Sequence, residues 1–296
     1  MEKNYLNLNP KMTFFQMKTY KLLHFLSLDI VLGALASSCM AAMLFVALPG
    51  WSWWLALALT VWLLYMGDHI LDAWKHRNNS HRDLHQFIFK NRKILLWFMA
   101  VVTIVDLVLI FNFLERSLLQ YALLLAGLVL LFYAMRHLFR KHRVLFIPGE
   151  IFVLFLYLAG TWFGPYVFRS GELQTSDALV AIMFAAVLLM NLGIISLYDI
   201  SLDSRLGIAS LARTLGQKST KNLLLTLGIA IYLLLLLQFL VFGLDRHTMY
   251  ALILTGMATI LLIILFFPSF FGKNDYYRRT ADAVLYMGLL SLLVNL

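Results

Sequence analysis

The chain has 296 residues, of which 62% are apolar and only 13% charged, with a mean hydropathy of +0.83. Soluble domains carry roughly 25% charged residues, so this density of charge cannot cover a folded surface in water, and an ordinary soluble protein is excluded. The formal charge of +9 lies in short stretches between apolar runs, as a topology signal does, and the single cysteine, Cys39, excludes an intramolecular disulfide or a cysteine zinc cluster.

A polar and basic segment, 1–27, with Lys3, Lys11, Lys18 and Lys21, comes first; it lacks the short apolar core and cleavage site of a secretory signal and is expected to remain. Runs of about 20 mostly apolar residues, the length a spanning helix needs, then follow at 28–48, 51–71, 94–114, 118–135, 145–168, 177–198, 222–243, 247–267 and 280–296. The expected fold is therefore all-α, a polytopic membrane protein of nine transmembrane helices in one domain over 1–296. Of the 24 Lys and Arg, all but Arg116, Arg169 and Arg246 lie before span 1 or in the connections after spans 2, 4, 6 and 8. The positive-inside rule then places the N-terminus in the cytoplasm and the C-terminus outside, with a bacterial cytoplasmic membrane as the expected location. The two long connections, about 72–93 and 199–221, fall on the basic side, so function is expected there. Trp51, Trp53 and Trp54 read as an interfacial belt on the opposite side.

Span 2 ends in Asp68-His-Ile-Leu-Asp72 and span 6 in Asp199-Ile-Ser-Leu-Asp203. Residues i and i+4 share a helix face, so each pair points two carboxylates at one locus, and both spans run in the same sense. Carboxylates at a helix C-terminus oppose its partial negative charge, so a cation is expected beside them. Oxygen-only ligands favour Mg²⁺ over softer metals. On spacing alone, four unrelated interfacial aspartates, solvated or paired with Arg77, Arg82 or Arg205, fit equally well.

The stretch Asp199-Ile-Ser-Leu-Asp203-Ser-Arg-Leu-Gly207-Ile-Ala-Ser-Leu211-Ala-Arg213-Thr-Leu-Gly216 resembles the second aspartate-rich region of the UbiA-type intramembrane prenyltransferases. The first pair, the nine-span layout and the long loops after spans 2 and 6 are similar to the same family over the whole chain. The resemblance implies helices around a central, lipid-accessible cavity. It also implies that Asp68, Asp72, Asp199 and Asp203 hold Mg²⁺ ions gripping the diphosphate of a prenyl donor. One departure stands out: the family commonly has Asn and Asp four and three residues before the first aspartate, where this chain has Leu64 and Tyr65. That departure implies a weaker first metal site, one bound ion rather than two, or a divergent reaction.

Other groups extend the site. Family members carry diphosphate-contacting basic residues after span 4, which implies that role for Arg136 and Arg140, one turn apart; Arg205 and Arg213 compete for it after span 6. Glu150 and Asn191 are polar groups at costly depth and are candidates for an acceptor site, Glu150 alternatively pairing with a loop arginine. His69, His76, His81 and His85 lie among basic residues and are read as a solvated loop helix rather than a metal site. Asp29 and Asp106 belong to no motif, and Tyr157, Trp162 and Tyr166 are candidates to line a cavity.

The expected function is Mg²⁺-dependent transfer of a polyprenyl group from its diphosphate to a small acceptor, which the family suggests is most often aromatic. Alternatives are a terpene cyclase using the same donor without an acceptor, a non-catalytic member, and an ion-coupled transporter. The last is disfavoured because transporter carboxylates usually lie near the bilayer midplane.

Overall fold

The computed structural model describes residues 23–75, 83–138 and 148–294. Its elements are α1 (Leu28–Leu44), α2 (Trp51–Lys75), α3 (Asp83–Phe113), α4 (Arg116–Leu138), α5 (Gly149–Val167), α6 (Thr175–Leu206), α7 (Leu211–Leu215), α8 (Gln217–Phe242), α9 (Arg246–Phe266), α10 (Pro268–Phe271) and α11 (Tyr276–Val284). The last runs on as a 3₁₀ stretch, Leu285–Leu293. Among the described residues, 6 helices are long and apolar enough to cross a membrane: α2, α3, α5, α6, α8 and α9. Of the other three expected spans, α1 and the apolar part of α4 are shorter, and the final one is α11 with its 3₁₀ continuation.

Several helices run further than hydropathy predicts. α2 continues to Lys75, α3 begins at Asp83 rather than near 94, α6 continues to Leu206 rather than 198 and α8 begins at Gln217 rather than 222, whereas α1 ends sooner, at Leu44 rather than 48. A hydropathy window follows the apolar part of a helix, whereas Lys, Arg and Gln continue it at little cost because their straight side chains lose little freedom. The two aspartate pairs consequently lie inside helices, not in loops.

Burial orders the bundle. Half of the spanning window of α6 and of α9 is buried (50% each), against 22% for α3, α5 and α8. The first two form the centre and the others face outward. Met183, Phe184, Val187, Met190 and Ile194 of α6 are fully buried in the same cluster as Leu254, Met257, Leu261 and Ile264 of α9. The outward face of α3 carries Trp97, Ile104, Val108 and Phe111, apolar residues suited to lipid.

Lipid gives apolar side chains no reason to prefer each other, so close backbone approach and polar contacts hold such bundles together. Gly164 of α5 is one such approach, since a Cβ there would lie 2.3 Å from the Trp53 ring. Trp53 is accordingly buried, and its indole N–H donates to Ser38 Oγ at 3.1 Å. The Trp54 indole donates to the Pro49 carbonyl at 3.2 Å. Of the three tryptophans expected to form a surface belt, Trp51 is exposed, Trp54 half-buried and Trp53 buried, the inward two each finding a hydrogen-bond partner for the indole. At the same end of α6, His247 lies between two carboxylates, with Nε2 3.0 Å from Asp177 and Nδ1 2.9 Å from Asp245.

Candidate functional site

Asp199 and Asp203 stand one turn apart on the last part of α6. The helix ends at Gly207, whose left-handed backbone (φ 68°) lets the Ile208 N–H return to the Asp203 carbonyl at 2.9 Å. The chain then folds back over the helix end. Leu211 N–H donates to Glu150 Oε1 and Ala212 N–H to Ser196 Oγ, both at 2.9 Å. Arg213 donates from its guanidinium to the Asp203 carbonyl at 3.2 Å and to the Ile208 carbonyl. Gly216, at φ 84° and ψ 153°, turns the chain into α8 through a backbone conformation nearly closed to other residues. The motif stretch 199–216 is thus a compact cap, and Arg213 brings a cation to the negative end of α6.

Asp199 is buried and held from α11. Tyr277 OH donates to its Oδ1 at 2.6 Å, and the Arg278 guanidinium donates to Oδ2. Among the described residues, the cation beside Asp199 is therefore Arg278 rather than Arg205, while Arg77 and Arg82 lie outside the described residues. Several further contacts seat α11 on α6. Asn191 Nδ2 donates to the Ala281 carbonyl at 2.6 Å. The Tyr198 and Tyr277 rings stack at 4.4 Å and 4°. Tyr198 OH also bonds the Ile264 carbonyl of α9 at 2.7 Å.

From α11 the charges continue toward the first aspartate pair. Arg278 lies within electrostatic reach of Asp282, one turn further on, and Asp282 within reach of Asp29 and His24. His24 Nδ1 is 2.5 Å from Asp29 Oδ2, and Tyr286 OH donates to the Asp29 carbonyl at 3.0 Å. Tyr65 of α2 is under the influence of Asp282, Asp68, Arg278 and Asp29 together. Tyr65 is one of the two positions where the first motif departs from the family pattern, and it faces the charged residues of α11. The charges of α11 thus act on α2 as well as on α6.

The remaining candidates divide. Asp68 is exposed near the end of α2, and the Asp72 side chain lies outside the described set. Among the described residues, no group of three or more His, Cys, Asp or Glu is placed to hold a metal ion. The carboxylates described at the cap are those of Asp199, Asp203 and Glu150. Glu150 caps α7 and Asn191 anchors α11, so both bond backbone. Arg205 is exposed on the last turn of α6. Arg136 lies on α4 with its side chain outside the described set, as does His85 on α3, while Arg140, His76 and His81 lie outside the described residues. His69 Nδ1 is 3.1 Å from Ser27 Oγ.

Tyr157 hydrogen-bonds Ser37 at 2.9 Å. Trp162 and Tyr166 line an open surface depression of about 220 Å³ with Phe45, Tyr121, Ala159 and Phe163. That depression lies at the opposite end of α5 from Glu150 and is separate from the charged cap. The sequence reading missed Arg278, which was counted only as a topology charge. The available signal was its i,i+4 spacing with Asp282 at the edge of an apolar run, where a charge needs a partner.

No family model matches the sequence, and no curated protein matches it. The apo structure of a UbiA homolog from Aeropyrum pernix K1 is similar, with a TM-score of 0.60 and 16% identity over 90% of this chain and 97% of that one. Identity this low speaks for the fold: the chain is a multi-pass integral membrane protein with the all-helical UbiA fold.

Proposed function

We propose that the chain is a Mg²⁺-dependent intramembrane prenyltransferase that moves a polyprenyl group from its diphosphate to a small, aromatic acceptor. The supporting observation is the Asp199–Asp203 pair, closed over by the Gly207–Gly216 cap at the end of the central helix of a UbiA-like bundle. The donor set fits the ion. Mg²⁺ is ordinarily held by one or two carboxylates, with substrate phosphates and water completing its shell, and two carboxylates on one helix face meet that need.

Asp199 and Asp203 would hold the metal, with Asp68 and Asp72 supplying charge from α2. When bound, Mg²⁺ would supply Lewis-acid stabilisation of the departing diphosphate. Arg136, Arg140 and Arg205 would contact diphosphate oxygens, while Arg213 keeps the cap closed and the site positive. The packed apolar helices below would exclude water from the allylic cation. Glu150 and Asn191 act in this reading by positioning the cap and α11, not by touching the acceptor.

Purified protein given Mg²⁺, a series of prenyl diphosphates and a hydroxybenzoate should release diphosphate and yield a prenylated acceptor, both lost with chelator. No Mg²⁺-dependent release from any donor would remove the reading, and a hydrocarbon product formed without acceptor would replace it with a cyclase.

In the same proposal the charged cap faces the cytoplasm. Single cysteines in the connections after spans 2, 4, 6 and 8 should be shielded from an impermeant thiol reagent in intact cells. Labelling of any of them would reverse the orientation or change the number of spans.

A further inference from the structure

We propose that Arg278 is a built-in counter-cation of the metal site: it occupies Asp199 while the site is empty and transfers to the donor's diphosphate when metal and donor bind. The proposal rests on the prenyltransferase reading above. Its ground is that both oxygens of Asp199 are already engaged, Oδ1 by Tyr277 and Oδ2 by Arg278, on a residue that is only 9% exposed. A divalent ion bound to that carboxylate would sit about 2 Å from an oxygen that a guanidinium also contacts. The two cations would repel one another across a poorly hydrated space.

Three features suit Arg278 to an exchange rather than a permanent bond. Its side chain is 30% exposed although its partner is buried, so the arginine is not sealed in with the carboxylate. Asp282 stands one turn away on the same helix face, so the charge retains a counter-ion when it leaves Asp199. The planar fork of an arginine matches two phosphate oxygens at once. Meanwhile the Tyr198–Tyr277 stack and the Asn191–Ala281 bond keep α11 seated, so only the side chain has to move.

The test is Mg²⁺ binding by calorimetry, first without donor and then with a prenyl diphosphate analogue whose bridging oxygen is sulfur. Arg278→Gln should tighten Mg²⁺ binding to the donor-free protein by roughly 5- to 150-fold, the usual range of coupling between two ligands. The gain should vanish in Arg278→Gln combined with Asp199→Asn, because the contested carboxylate is then gone. By the same linkage, the analogue should enhance Mg²⁺ binding strongly in the wild type and less in Arg278→Gln. The thermal stability that Arg278→Gln loses should be recovered by Mg²⁺ and not by NaCl of equal ionic strength.

If Arg278→Gln does not fold, Arg278→Lys decides, because it keeps the charge without the fork. An analogue effect reduced at least about fivefold supports the exchange, and an unchanged one overturns it. Unaltered or weaker donor-free Mg²⁺ binding in folded Arg278→Gln, or a gain that persists in the double variant, also overturns it. A wild-type protein that binds neither Mg²⁺ nor the analogue removes the prenyltransferase reading and this proposal together. Unchanged behaviour of the Arg278 variants in a protein that binds both removes this proposal alone.

Discussion

Asp203→Asn is expected to lower Mg²⁺-dependent diphosphate release by at least about 100-fold, since metal stabilisation of the leaving charge is worth several kcal/mol and each 1.4 kcal/mol is tenfold in rate. The substitution keeps the shape of the side chain and removes its charge. The cap should survive it, because Ile208 and Arg213 bond the Asp203 backbone carbonyl rather than its carboxylate. Asp199→Asn should lower release as much, but with an added loss of stability, because Arg278 then has no carboxylate at Oδ2. The two variants separate catalysis from folding. Asp68→Asn should have a smaller effect, since Asp68 is exposed on a different helix. Measurement of diphosphate release against Mg²⁺ concentration, with circular dichroism to check the fold, decides the matter. Wild-type Mg²⁺ dependence in both α6 variants would exclude a metal role for the pair.

His247→Ala is expected to destabilise the protein by about 3–5 kcal/mol, the cost of taking away a buried group that two carboxylates share. The imidazole and Asp177 are each only 6% exposed and lie 3.0 Å apart. Removing it leaves Asp177 and Asp245 facing one another across the junction of α6 and α9, the two most buried spans. A shift of roughly 5–15 °C in thermal unfolding is the corresponding readout, and a variant within about 1 °C of wild type would show that the contact contributes nothing.

Acid provides an independent check on the same junction. Burial alone would raise the Asp245 carboxyl, but hydrogen bonds from Thr248 and His247 outweigh it and hold the group below the ordinary carboxylate range. A lowered value means that the folded state binds fewer protons than the unfolded one. The contribution of Asp245 is then complete above the unfolded value of about 3.9 and is lost as pH falls through the lower, folded one. Asp245→Asn should therefore cost stability at neutral pH and progressively less in acid.

Long apolar runs determined by themselves that the chain crosses a membrane as helices, because a bilayer admits little else for an unpaired backbone. Local spacing also made the Asp199–Gly216 stretch legible. Carboxylates one turn apart must share a face, and glycines at 207 and 216 occupy backbone conformations that other residues avoid. Helix ends were less legible, since polar residues that favour helix are invisible to hydropathy. Tertiary structure alone decided the partners. Asp199 meets Arg278 across 79 residues, Glu150 meets Leu211 across 61, and Asn191 meets Ala281 across 90. At such separations nothing local distinguishes an arginine that orients the chain from one that enters the site, or a glutamate that meets an acceptor from one that caps a helix. That distinction arises only when packing removes these groups from water, because a buried donor or acceptor must then pair with whatever backbone or charge the neighbouring helix presents.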